Sequence, residues 1–267
     1  MKPLNFFKEL EYTAEIRKAI KETVQNSIVT HLKNVPPEIN LDELYQDLAH
    51  RIGYFIHLDE NPQTASLKDN AWTAIKNNSE KSQQAFKYSN KRQPLHTDYG
   101  YVPLNMDITF FFCLKQADHG GATVFLNPGL LISLLKEYEP ELYKELTSTD
   151  VILGRAGAPH STNTTKIIDF DKLGPLLSWN YYRVSDQNSQ PVKDMAKRFF
   201  DFLEEKIEAG WLAKPVILKK GEAVFMQDKR LLHGRNAFFG DRWLMKGAIG
   251  IQNVERTKAE IKKILGE

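Results

Sequence analysis

The chain has 267 residues, 42% of them hydrophobic, and a formal net charge of +2. This length and apolar content fit one domain with a large core. The near-neutral charge, with no basic block, argues against nucleic acid and anionic membranes as partners. The only cysteine, Cys113, excludes an internal disulfide and a cysteine-rich zinc site. With no secretion signal and no long apolar run, we expect a soluble, cytoplasmic protein.

The first part of the chain predicts two amphipathic helices between about residues 10 and 53. Apolar residues recur mostly four positions apart over residues 10–33, as on one face of a helix. A second helix is predicted to begin at Asn40, with Glu43 as its capping partner, and to end at Gly53. We expect both helices to pack on the core.

The next segment, residues 59–92, is polar and has few apolar anchors. It is predicted to form a helix fragment and a mobile loop that covers an active site, or else a solvated connector. Residues 156–165 also lack periodicity and are a second candidate for such a lid.

Most of the remaining chain predicts β-structure, with short strand-like segments separated by glycine turns. The predicted strands are residues 54–58, 107–115, 122–126, 151–155, 166–170, 177–184, 215–218, 223–227 and 242–252. Helices are predicted after Asn127, from Val192 to Ile207, and near residues 255–265. This pattern predicts a mainly β fold with helical additions on a double-stranded β-helix (jelly roll) core, forming one domain over residues 1–267.

A histidine and a carboxylate stand two positions apart at His96 and Asp98. On a strand these residues point to the same face and can bind one divalent metal. His233 is the best candidate for a third ligand, because two histidines and one carboxylate leave the opposite face of the metal open. With seven histidines and 34 acidic residues in the chain, the pair also fits a surface histidine beside a solvated aspartate.

Two cations follow near the C-terminus. If residues 242–246 form a strand, Arg242 and Lys246 share one face, and two inward cations are costly unless each meets an anion. A bound dicarboxylate would explain a buried Arg242, since a guanidinium binds a carboxylate through two parallel hydrogen bonds. Thr123 can add a hydroxyl donor to the same carboxylate. If the two cations face outward, they are ordinary solvated residues.

Four motifs in this order resemble the Fe(II)/2-oxoglutarate dioxygenases of the TauD/TfdA group, which includes clavaminate-synthase-like enzymes. The motifs are His96-Thr97-Asp98, Gly120-Gly121-Ala122-Thr123, Leu232-His233-Gly234-Arg235 and the following Arg242. The resemblance implies that His96, Asp98 and His233 bind Fe(II). It also implies that Arg242 and Thr123 hold the distal carboxylate of the cosubstrate 2-oxoglutarate.

The resemblance further implies an O2-consuming oxygenase that oxidises an unactivated C–H bond and releases succinate and CO2. The expected partner is a small-molecule substrate, an amino acid or another small carboxylate. Hydroxylation is the expected reaction, and desaturation, epoxidation and ring closure are left open. Whether the chain forms a homo-oligomer is also left open. The candidate substrate-binding residues are Lys246, Arg235, Asn180, Tyr99 and His160. For Arg235, pairing with a carboxylate such as Asp228 is an alternative.

Two other functions compete with this reading. One is a catalytically inert jelly-roll protein that binds a metabolite. The other is a hydrolytic or isomerising metalloenzyme with Zn or Mn in the same ligands. Neither requires Arg242 as a dicarboxylate clamp, so that residue favours the oxygenase.

Overall fold

A computed structural model describes residues 4–61, 67–102, 104, 106–154 and 162–265 of the chain. His160 and most of the second candidate lid lie outside the described residues. The strands are β1 Asn5–Glu11, β2 Ser27–Lys33, β3 Tyr54–Ile56, β4 Asp59–Glu60, β5 Leu67–Lys68, β6 Thr73–Lys76, β7 Gln93–His96, β8 Ile108–Lys115, β9 His119–Gly120, β10 Thr123–Leu126, β11 Asp150–Gly154, β12 Thr162–Lys166, β13 Ile168–Asp171, β14 Gly174–Leu177, β15 Lys214–Val216, β16 Ala223–Gln227, β17 Leu232–Arg235, β18 Phe238–Phe239 and β19 Trp243–Gly250. The helices are α1 Ile16–Asn26, α2 Leu41–Ile52, α3 Pro128–Tyr138, α4 Pro140–Ser148, α5 Gln190–Phe202 and α6 Val254–Leu265.

Two sheets dominate the fold. The large sheet has the strand order β1-β2-β16-β8-β19-β3, and β6 also pairs with β19. The small sheet has the order β15-β10-β17-β7. Within these two sheets β1 and β2 pair in parallel, and the other pairs are antiparallel.

The two sheets pack against each other through one buried cluster. Phe111, Val224 and Leu244 of the large sheet share this cluster with Phe125 and Val216 of the small sheet. Alternate residues of a strand point to opposite faces, so each sheet keeps a second face for other partners. The arrangement is a two-layer β-structure whose inner faces form a common core.

Helices cover the two outer faces. Residues of α1 and α2 pack on the large sheet, where the ring of Tyr45 stacks on Phe112 with 4.5 Å between ring centroids. Residues of α3, α4 and α5 pack on the small sheet, and Trp179 meets Phe199 of α5 edge-on at 4.7 Å. None of the helices among the described residues is long and apolar enough to cross a membrane.

The N-terminal helix is shorter than predicted. Residues 10–33 were expected to be helical, but only Ile16–Asn26 are, and Ser27–Lys33 form the buried strand β2. Residues four positions apart share a face on a strand as well as on a helix, so the spacing of Ile28 and Leu32 fits both. The second helix is confirmed, because the Asn40 side chain accepts hydrogen bonds from the backbone of Asp42 and Glu43.

A second correction concerns residues 177–184, which were predicted to form one strand. The strand β14 ends at Leu177, and Tyr181–Arg183 form a 3-10 turn instead. Asn180 accepts a hydrogen bond from the backbone N–H of Tyr182 at 3.2 Å and so caps this turn. Aromatic residues favour strands on average, but the local cap decides the backbone here.

Where the structure describes it, at residues 59–61 and 67–92, the polar segment before the predicted metal site has short strands and 3-10 turns rather than an α-helix fragment. It contains the small strands β4, β5 and β6 and two 3-10 turns, Ser79–Lys81 and Phe86–Tyr88. The second turn lies close to β6, whose partner is β19. This segment therefore runs beside the strand that carries Lys246.

Candidate active site

Neighbouring strands of the small sheet bring the two predicted histidine ligands together. His96 on β7 lies directly opposite His233 on β17, and their ring centroids are 4.3 Å apart. Asp98 follows two residues after His96, with one oxygen 3.7 Å from His96 Nε2 and the other 3.6 Å from His233 Nε2. One ligand atom from each of the three side chains lies within 4.8 Å of the other two.

The surroundings favour a neutral His233 and an ionised Asp98, the protonation states that a metal requires. His96 Nδ1 lies 2.8 Å from the Pro94 carbonyl oxygen and Nε2 lies 3.0 Å from Gln93 Nε2, and these contacts hold the ring with Nε2 towards Asp98. Burial, and then the neighbouring His96, lowers the pKa of His233 to about 3. Burial alone raises the pKa of Asp98, but Lys246 and the two histidines outweigh it and hold it well below its usual range.

The three side chains fit a divalent first-row metal. Asp98 Oδ2 is buried and has no hydrogen-bond partner within the described part of the chain. A buried carboxylate oxygen without a donor is unfavourable unless a cation meets it. Two neutral imidazoles and one carboxylate are the ligand set of non-haem Fe(II) sites.

Asp228 holds the backbone of the metal-ligand segment, a role that the sequence motifs did not indicate. Its fully buried carboxylate accepts hydrogen bonds from the backbone N–H of Asp98 at 2.8 Å and of Tyr99 at 3.0 Å. Burial, and then repulsion by Asp98, raises the pKa of Asp228 to about 6. Asp228 therefore fixes the position of the Asp98 backbone, from which the carboxylate extends.

We expect Asp228→Asn to lower the affinity for a divalent metal by about 10–100-fold, as replacement of other outer-shell partners does. The amide keeps the volume but can accept from only one side, so one of the two backbone N–H groups loses its acceptor. Co(II) titration measures the effect. Asp171→Asn is the control, because Asp171 pairs with Arg230 in the same 228–230 turn but does not touch Asp98. A similar loss in both variants would contradict a specific role for Asp228.

Arg242 is buried beside Thr123 on the facing sheet. Its guanidinium lies 3.5 Å from Thr123 Oγ1 and 5.8 Å from the centroid of the Phe238 ring. Burial lowers its pKa to about 10, and no described carboxylate contributes to that pKa. Gly121 permits this packing, because a Cβ there would lie 3.1 Å from Arg242 Cδ and its φ is +73°. The site therefore holds a buried cation that an external anion can pair with.

The other candidate residues have more varied surroundings. Lys246 places its ammonium 2.9 Å from Asp98 Oδ1 and 4.5 Å from the centroid of the Tyr99 ring. Arg235 donates to the backbone oxygens of residues 86, 89 and 91 at 3.2, 2.8 and 2.6 Å, rather than to Asp228. Burial, followed by repulsion from Arg242, lowers the pKa of Arg235 to about 9. Arg235 thus ties down the segment that leads into β7.

Two cavities meet at His96 and Asp98. The smaller, about 120 Å³, is lined by the three candidate ligands and by Thr123, Arg235, Arg242 and Lys246. The larger, about 820 Å³, is lined by His96 and Asp98 and by the candidate residues Tyr99, Asn180 and Lys246. Asp98 and His96 therefore border both cavities. The smaller cavity is bordered by the buried Arg242, and the larger one has room for a larger molecule.

The two facing β-sheets bring two histidines and one carboxylate together beside a buried arginine, and two histidines with one carboxylate are the side-chain set of non-haem Fe(II) oxygenases. The sequence matches the family described as "Taurine catabolism dioxygenase TauD, TfdA family" over residues 3–248. The chain belongs to this family, and the resemblance read from the four motifs is confirmed.

Known relatives agree with this assignment. The chain is 24% identical to human gamma-butyrobetaine dioxygenase over 57% of its own length and 41% of that protein. It is also 24% identical to mouse mitochondrial trimethyllysine dioxygenase, over 86% of its length and 54% of that protein. The chain thus spans about half the length of these two relatives.

Solved structures show a similar fold. An asparagine oxygenase in complex with Fe(II), 3-hydroxyasparagine and succinate has a TM-score of 0.71 at 12% identity, over 93% of this chain and 82% of that one. The non-heme iron oxygenase OrfP in complex with Fe and alpha-ketoglutaric acid has a TM-score of 0.67 at 15% identity, over 92% and 82% of the two chains.

Proposed function

We propose that the protein is an Fe(II)- and 2-oxoglutarate-dependent oxygenase whose metal ligands are His96, Asp98 and His233. The observation that carries this proposal is the buried Arg242, which borders the small cavity beside the three ligands. A metal-binding protein that did not use a dicarboxylate would have no reason to bury a guanidinium there. We also assign the two facing sheets to a double-stranded β-helix within a single domain over residues 1–267.

Different residues around the small cavity would bind the two ends of the cosubstrate. Arg242 pairs with the distal carboxylate of 2-oxoglutarate through its planar fork, and the Thr123 hydroxyl donates to the same group. The three ligands hold Fe(II) beside them and leave the remaining coordination positions open. Bound Fe(II) and 2-oxoglutarate together supply the oxidative chemistry with O2, which releases succinate and CO2 and oxidises a substrate C–H bond.

The large cavity is the proposed substrate site, and its charges favour an anionic group. Its lining has five cations and three carboxylates: Lys87, Lys91, Arg92, Arg183 and Lys246, with Asp59, Asp98 and Glu204. Lys87, Arg92 and Lys246 pair with these carboxylates, so the excess of positive charge in the lining comes from Lys91 and Arg183. Tyr99 and Asn180 border the same space and are candidates for contact with the substrate. An amino acid or another small carboxylate fits this balance, and hydroxylation is the expected outcome.

The known relatives support this substrate class. The names of two relatives contain gamma-butyrobetaine and trimethyllysine, and one solved complex contains 3-hydroxyasparagine, all small polar molecules that carry a carboxylate. We therefore propose a small-molecule substrate for this chain. The cytoplasmic location stays a prediction. Arg235 is better assigned to holding residues 86–91 than to the substrate, because its guanidinium is already engaged by three backbone oxygens.

Anaerobic addition of Fe(II) and 2-oxoglutarate tests the proposal directly. We expect a weak visible absorption band at about 500 nm, because the cosubstrate chelates the iron at its open face. A protein that binds a different metabolite would give no band, and a Zn or Mn hydrolase would work without 2-oxoglutarate. Iron bound in one equivalent without this band would exclude the oxygenase. A succinate-release screen of amino acids and small carboxylates then identifies the substrate.

A further inference from the structure

The two oxygens of the Asp98 carboxylate lie in different surroundings. Each oxygen faces one imidazole, with Oδ1 3.7 Å from His96 Nε2 and Oδ2 3.6 Å from His233 Nε2. Only Oδ1 has a hydrogen-bonding partner, the Lys246 ammonium at 2.9 Å, whereas Oδ2 has none among the described residues. The Lys246 and Asp98 side chains are only 14% and 13% exposed. Water therefore screens this ion pair weakly.

We infer that Lys246 is a positioning residue that keeps Asp98 a one-oxygen metal ligand. The inference rests on the proposed metal site. A carboxylate can bind a metal through one oxygen or through both. Lys246 occupies Oδ1 with a charge-assisted hydrogen bond and leaves Oδ2 for the metal. The coordination position that a second oxygen would take then stays available for the cosubstrate or O2.

Both partners of this ion pair are held from outside it. Lys246 lies within β19, whose backbone pairs with β8 on one side and with β6 on the other. The face of the Tyr99 ring lies against its ammonium. Asp98 is fixed through its backbone by Asp228. The contact between Lys246 and Asp98 is therefore set by three separate elements rather than by the pair alone.

The charge of Lys246 is also expected to affect the affinity of the site for the metal. An ammonium next to a divalent cation repels it, so Lys246 must weaken metal binding while it preserves the open positions. A residue that served only to neutralise Asp98 would become redundant once the metal is bound. The two roles therefore predict different behaviour when the lysine is removed.

Co(II) binding to the full chain and to Lys246→Met tests the inference, because the visible spectrum of Co(II) responds to the atoms that coordinate it. We expect the variant to bind Co(II) roughly tenfold more tightly or better, since the repulsion is removed. Its spectrum should differ from that of the wild type, because the second Asp98 oxygen would replace a water on the metal, and 2-oxoglutarate should perturb that spectrum only at higher concentration. Lys246→Arg, which keeps the charge and the donors, should restore the wild-type spectrum.

Lys87→Met is the matched control. Lys87 also lines both cavities, but it pairs with Asp59 at 3.4 Å. This control removes the same charge without touching Asp98, so it should leave the Co(II) spectrum unchanged. If Lys246→Met does not fold, Lys246→Leu, which also lacks a donor, takes its place with the same expected directions.

Two results would contradict these proposals, one for the role of Lys246 and one for the metal site itself. A wild-type Co(II) spectrum and a wild-type response to 2-oxoglutarate in the folded Lys246 variant would overturn the positioning role. A wild-type protein that binds no stoichiometric Co(II) would instead overturn the proposed metal site, whatever the variants do.

Discussion

Replacing Asp98 with alanine is expected to abolish both metal binding and succinate formation. The substitution removes the only anionic ligand among the three, and it leaves two neutral imidazoles to hold a dication. Loss of an outer-shell partner alone weakens metal sites about 10–100-fold, so loss of the ligand itself should exceed that range. Co(II) or anaerobic Fe(II) titration measures the binding, and a succinate assay measures turnover.

The same substitution leaves Lys246 without its carboxylate, which complicates the interpretation. A buried charge that loses its partner destabilises a protein by about 3–5 kcal/mol, and the lower end applies here because both side chains retain some exposure. The double variant Asp98→Ala/Lys246→Met removes both charges and should regain stability in thermal unfolding. It should still bind no metal. Stoichiometric metal in the double variant would contradict the assignment of Asp98 as a ligand.

The ends of helices could be predicted better than the choice between helix and strand. Asn40 and Asn127 cap α2 and α3 as predicted, because a side-chain cap depends only on neighbouring residues. The sequence of β2 predicts a helix, because its buried residues repeat at a spacing that helices and strands share. Its position between β1 and β16 decides the outcome, and that contact is made by residues distant in the chain.

In the proposed metal site, too, features set by nearby residues could be predicted and contacts between distant residues could not. His96 and Asp98 are close in the sequence, and an ordered series of motifs suggested His233 and Arg242 as their partners. The contacts that orient them were not visible in any motif. Asp228 acts on backbone N–H groups, and Arg235 acts on backbone oxygens. Such groups carry no residue identity, so only the folded chain shows which side chain they meet.

Arg242→Met is expected to weaken 2-oxoglutarate binding by about 100-fold or more. The variant keeps a long apolar side chain in the small cavity but removes the cation, so the distal carboxylate of the cosubstrate would be buried without a partner. Breaking a buried pair on one side costs about 3–5 kcal/mol, and each 1.4 kcal/mol corresponds to a factor of ten in the dissociation constant. Anaerobic titration of the Fe(II)-loaded protein, followed at the visible band, measures that constant.

Two milder substitutions separate charge from geometry at the same position. Arg242→Lys keeps the charge but loses the fork, and we expect roughly tenfold weaker binding because one charged hydrogen bond contributes about 1.5–3 kcal/mol. Thr123→Val removes the hydroxyl that lies 3.5 Å from the guanidinium and should weaken binding severalfold. None of the three variants changes a metal ligand, so each should still bind one equivalent of Co(II). An unchanged dissociation constant for 2-oxoglutarate in Arg242→Met would remove Arg242 from the cosubstrate site and, with it, the main support for the oxygenase.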